Sequence, residues 1–149
     1  MIRHTDWTVR LTDFVKSKKH TPFEWGVNDC CLFVADMAQT ITGVDPAATF
    51  RGKYKSELGA MKQLKKQGFD SVEAVLTHAF GSTVSRLEVR RGDVVLFEND
   101  GRDIAGVMFG EVLAPGEYGI ETFSPLLIKK VWIRLNKLTL QSLTKYTVQ

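Results

Sequence analysis

Apolar residues recur with helical spacing through the first half of the chain and with strand spacing after it. Trp7, Leu11, Phe14 and Val15 stand at i, i+4, i+7 and i+8, one face of a helix, and predict a first helix from Trp7 to about Lys18. Asp6 is placed to cap it, and Pro22 blocks any continuation. Leu32, Phe33, Ala35, Met37, Ala38 and Ile41 predict a second helix from about Asp29 to Thr42, stopped by Gly43. Val44 to Phe50 contains Asp45-Pro46 and reads as a loop. Lys53 to Gln67 predicts a third helix, with Tyr54, Leu58, Met61 and Leu64 inward, Lys55, Lys62, Lys65 and Lys66 in solvent, and Gly68 closing it. Asp70 and Glu73 form a capping-box pair for a short fourth helix, Ser71 to Phe80, closed by Gly81.

From Val84 the pattern alternates and turn signals appear. Arg91-Gly92-Asp93 turns into a buried strand, Val94 to Phe97, and Asn99-Asp100-Gly101 is a hairpin signal. Ile104 to Glu111 is the return strand, Pro115-Gly116 a further turn, Ile120 to Phe123 a short strand, and Ile128 to Leu135 a last long one. Leu138 to Gln149 is Thr-rich and weakly patterned. Helices first and an antiparallel sheet second predict an α+β domain over residues 1–137, with 138–149 as a C-terminal strand or arm.

The bulk numbers narrow the function classes. A chain of 149 residues fits one domain with its own core. Its net charge of +3 is too weak to argue for nucleic acid, and aromatic and basic residues do not interleave as RNA binding requires. No segment approaches the roughly 20 apolar residues of a membrane span. Met1 to Lys19 lacks an apolar centre and is interrupted by Asp6 and Asp13, so no export leader and synthesis in the cytoplasm are expected. Cys30 and Cys31 are adjacent, and neighbours rarely bridge. Both are expected to be reduced, with no disulfide framework, no cysteine metal site and no cofactor.

Chemistry concentrates in Pro22-Phe23-Glu24-Trp25-Gly26-Val27-Asn28-Asp29-Cys30-Cys31. It reads as an aromatic loop, a tight turn, a polar cap and a helix with cysteine in its first turn. Asn28 and Asp29 are both strong N-cap types. Cys30 then sits where backbone N–H groups point outward and the helix dipole is positive, which favours thiolate. Cys31 faces elsewhere on the helix and reads as core.

The string Trp25-Gly26-x-x-Asp29-Cys30-x-x-Phe33-Val34 resembles the nucleophile motif of the NlpC-type, papain-like cell-wall peptidases. Arg91-Gly92-Asp93-Val94-Val95-Leu96-Phe97 resembles the same family's Gly-Asp strand, and Ala105 to Gly110 its next strand. A second resemblance covers most of the chain. Small proteins encoded among phage tail genes combine a Pro-Phe-x-Trp-Gly-x-x-Asp-Cys motif, a Thr-Gly-x-Asp-Pro loop, a Gly-x-Tyr helix and a late Trp-hydrophobic-Arg strand, present here as Trp132-Ile133-Arg134. These resemblances imply a papain-like fold and a place in a virion tail, made in the host cytoplasm, with a tail hub or central fibre protein as partner.

The family's histidine base opens the strand after the Gly-Asp strand, and the spacing here puts Ile104 in its place, between Asp103 and Ala105. An aliphatic side chain accepts no proton from a thiol. His4, His20 and His78 are the only histidines, and His20 is the nearest in sequence to Cys30. Two roles therefore stand side by side. One is a structural component of a phage tail tip or baseplate, built on a degenerate peptidase domain, with an old cleft lined by Trp25, Cys30 and the strand around Ala105. The other is a thiol endopeptidase acting on peptidoglycan, with Cys30 as nucleophile, Asp29 beside it, backbone N–H groups as oxyanion hole, and Asp103 or His20 as an unusual base. A binding module that reuses the cleft is a third.

Overall fold

In the computed structural model, which describes residues 1–132, four helices precede an antiparallel sheet of six strands, an α+β architecture. α1 (Trp7–Lys18) buries Leu11 and Phe14. Asp6 stands at its N-cap position without capping it, because its carboxylate accepts from Arg10 Nε at 2.8 Å. α2 (Cys30–Thr42) is the central helix and buries Leu32, Phe33, Val34, Ala35, Met37, Ala38 and Ile41. Phe33 meets Phe14 of α1 at 5.2 Å between ring centres. Gly43 ends α2 in the left-handed conformation, with its N–H on the Gln39 carbonyl.

The third helix is shorter than the apolar pattern predicts. α3 spans Glu57–Lys66, capped by Ser56, whose hydroxyl accepts from Gly59 N–H at 3.0 Å. Lys53, Tyr54 and Lys55 precede it as loop, because Tyr54 is held against the start of α2. Leu58 and Met61 are not buried: they are 62% and 53% exposed, and α3 buries no residue completely. In α4 (Val72–Phe80) the cap is Ser71, which accepts from Ala74 N–H, rather than Asp70. Glu73, one position too early for a capping box, pairs with Lys130 instead.

The strands are β1 (Thr83–Val84), β2 (Val94–Asn99), β3 (Arg102–Phe109), β4 (Glu111–Gly116), β5 (Gly119–Phe123) and β6 (Ile128–Trp132). They lie in the order β1-β6-β2-β3-β4-β5. Val94 and Leu96 of β2 join the core under α2, while Val95 and Phe97 join a second cluster, following the strand's two-residue period. Asp100 and Gly101, both with positive φ, make the two-residue hairpin turn from β2 into β3. The predicted strand Ile104 to Glu111 is broken at Gly110, which turns the chain into β4. Pro115 and Gly116 lie inside β4 and pair with Ile120 and Gly119, so the turn falls at Glu117 and Tyr118. Pro115 is tolerated because β3 pairs with β4 only as far as Leu113, and the missing N–H costs no ladder bond there. The predicted strand end at Leu135 and the arm 138–149 lie outside the described residues.

Candidate functional site

The site is built where the Phe23–Cys30 loop delivers the chain into α2. Glu24 and Asn28 pair across a tight loop, with Asn28 N–H on the Glu24 carbonyl at 2.8 Å. Gly26 sits at the tip with φ of 80°, and a Cβ there would come within 2.0 Å of the Tyr54 carbonyl oxygen. Only glycine allows both the turn and this approach. Asn28 does not cap the helix. Its Nδ2 donates to the carbonyls of Thr21 and Pro22 and pins the loop before the turn.

Asp29 is the cap and more than a cap. It is 2% exposed. Oδ1 accepts from Leu32 N–H at 3.0 Å, and Oδ2 accepts from Gly26 N–H at 3.1 Å and from the Tyr54 hydroxyl at 2.6 Å. One carboxylate therefore fixes the turn, the start of α2 and the loop before α3. Burial, together with the bond to Asp29, pushes the Tyr54 phenol well above its ordinary range, so Tyr54 stays a donor.

Cys30 and Cys31 are both partly buried and both line one cavity. Cys31 packs against the core, as its place on the helix predicts, and lines the cavity as well. The neighbouring Cys31 thiol and the backbone N–H groups of Ala105 and Cys31 lower the Cys30 thiol below its ordinary value, against the opposing effect of burial. Cys30 and burial in turn push Cys31 well above its ordinary value. The charge of Asp29 raises both thiols, so Asp29 organises the site without activating it.

The cavity has a volume of about 370 Å³. Its walls come from the start of α2, the Pro46–Tyr54 loop, α3, α4 and the first residues of β3, and they are mainly apolar. Trp25 lines it and stacks edge-on against Phe23, with ring centres 4.8 Å apart. Ile104, where the sequence resemblance would have required a histidine, lines it too. Ala105 is fully buried behind it and reaches Cys30 through its backbone N–H. Asp103 lies in the lining, with its carboxylate paired to Lys129 Nζ at 2.9 Å. Glu57 of α3 and Arg102 of β3 form an ion pair beside it.

No histidine lines the cavity among the described residues. His20 is exposed on the loop after α1, where its backbone backs onto Gly119 of β5. His4 lies beside Gly43 at the far end of α2. His78 packs on Phe69, with ring centres 5.2 Å apart. The structure thus brings Trp25, Asp29, Cys30 and Asp103 to one cavity and leaves His20 away from it. Tyr54, Cys31 and the Glu57–Arg102 pair were not legible as site residues. Tyr54 was marked only by the Gly-x-Tyr string Gly52-Lys53-Tyr54, which the sequence pattern placed in a helix rather than at the site.

Among the described residues no helix is long and apolar enough to cross a membrane. A family model described as a domain of unknown function (DUF6950) matches residues 2–133. No curated protein matches the chain.

Proposed function

We propose a function from one premise: the chain belongs to the DUF6950 family, domains of unknown function. The protein is a non-hydrolytic relative of the papain-like, NlpC-type peptidases. It serves as a structural component of a phage tail tip or baseplate, in contact with a tail hub or central fibre protein. The tail context rests on the motifs around Trp25-Gly26, Asp29-Cys30 and Trp132.

One observation carries the loss of hydrolysis. Ile104 and Ala105 occupy the strand facing Cys30, and no histidine reaches the cavity among the described residues. Cutting an amide requires a group that takes the thiol proton and returns it to the departing amine. Asp103 is ion-paired with Lys129, and Tyr54 is committed to Asp29. Neither is free for that shuttle. The competing reading, a thiol endopeptidase on peptidoglycan, draws on the lowered Cys30 thiol alone.

The test is to complement a phage lacking this gene with wild-type protein and with Cys30→Ala, and to incubate the purified protein with peptidoglycan. Both forms are expected in purified tails at equal occupancy, and neither is expected to release soluble fragments. Fragment release that depends on Cys30 makes the protein a peptidase. Its absence from purified tails removes the structural role.

A further inference from the structure

We propose that the cavity beneath α3 takes the hydrocarbon chain of a thioester-activated acyl group, and that Cys30 accepts this acyl group as a covalent thioester. This goes beyond the tail role and does not depend on it.

The first argument is the shape of the apolar surface. α3 is amphipathic, yet it buries no residue. Ala60, Met61 and Leu64 face the cavity instead of filling it. Across from them stand Val72, Val75 and Ala79 of α4. A wall of this kind leaves apolar area without a packing partner, and an alkyl chain is the ligand that gains most by covering it. The polar groups gather elsewhere, where α2, α3 and β3 begin: Cys30, Glu57 and Arg102. An amphiphile with its reactive carbonyl at Cys30 and its chain between α3 and α4 matches both regions.

The second argument is the chemistry left to a thiol without a base. An amide must be protonated as it leaves, but a thioester leaves as a thiolate, which needs no acid. The Cys30 thiolate adds to the donor's carbonyl carbon and forms a new S–C bond. The carbonyl re-forms, the donor's S–C bond breaks, and the donor departs as thiolate. That thiolate takes from solvent the proton that Cys30 gave up. Nothing is oxidised or reduced. Cys30 is the first residue of α2, where outward-pointing backbone N–H groups and the positive end of the helix dipole favour a thiolate, so the attacking species is stabilised without histidine.

The experiment uses the full chain and N-acetylcysteamine thioesters of acetyl, butyryl, hexanoyl and octanoyl groups at neutral pH. Adducts are read by intact-protein and peptide mass spectrometry. Acylation is expected on Cys30, reversed by hydroxylamine, absent in Cys30→Ser, and faster by roughly fourfold for each added methylene until the cavity is full. Leu64→Trp, which fills the apolar wall, is expected to flatten the series. Rates independent of chain length in the wild-type protein overturn the proposal, as do adducts confined to Cys31 or to lysines. The wild-type series decides even where Leu64→Trp fails to fold.

Discussion

Asp29 shows how one side chain can be both a local and a tertiary device. As a cap it saves one orphan N–H, a contribution of about 1 kcal/mol. Its other oxygen holds Gly26 and Tyr54 in a buried setting, where each broken bond strands a donor. Asp29→Ala is therefore expected to cost about 3 kcal/mol in urea unfolding, and Tyr54→Phe about 1–2 kcal/mol. The double variant should fall short of the sum, because both changes break the same bond. The thiols make a second case. The neighbouring Cys31 holds the Cys30 thiol below its ordinary value, and Cys30 with burial pushes Cys31 above its own. In a pH series of iodoacetamide labelling, Cys30 is expected to react below the ordinary thiol pKa near 8.5 and Cys31 only above it. Cys31→Ala should move the Cys30 profile upward. A Cys30 profile unchanged by that substitution would show that the neighbouring thiol has no effect.

Elements are joined here by charge as well as by apolar packing. Arg51, in the loop after α2, bonds Asp45 at 2.8 Å and Asp36 of α2 at 2.7 Å, and Lys18 of α1 reaches Asp36 at 2.9 Å. Arg51 holds the Asp45 carboxyl below its ordinary range. The folded state therefore binds fewer protons at Asp45 than the unfolded chain does. Its contribution is full above the unfolded value near 4 and is lost as pH falls through the folded value. Arg51→Ala is expected to cost up to about 1 kcal/mol at neutral pH, since the group is partly exposed, and less at acid pH where the wild type has already lost the pair. Unfolding curves at both pH values check this.

At the scale of the molecule, stability is uneven. α2 lies against α1 and the sheet with a continuous buried surface, and Trp132 closes the core next to α4 with its Nε1–H on Thr77. α3 stands outside that core, held by the Glu57–Arg102 pair at one end and by Thr49–Gln67 bonds near the other. Hydrogen exchange should find α3 amides opening well before those of α2 and β2, and Glu57→Ala should speed exchange in α3 alone. Equal protection of α2 and α3 would contradict this division.

The sequence by itself determined the elements whose cause is local. Helical spacing and Gly43 set α2, the Asp100-Gly101 pair set its hairpin because both residues accept positive φ, and the order of periods set the α+β class. It also placed Cys30 behind Asp29, because caps act within one turn. What only the tertiary structure decided has no local cause. Tyr54 left the helical pattern because a carboxylate distant in sequence holds it. Leu58 and Met61 stay largely exposed because α3 lies over the cavity rather than against the core. β4 escaped notice because Pro115 and two glycines spoil its period, and it exists because β5 returns to pair with it. Cys31 joined the cavity because the helices and β3 close around the start of α2, whereas Ile104 in its wall was already set by the spacing after Asp93. Spacing along a chain fixes which face a residue takes, but which partner meets that face depends on how the elements pack.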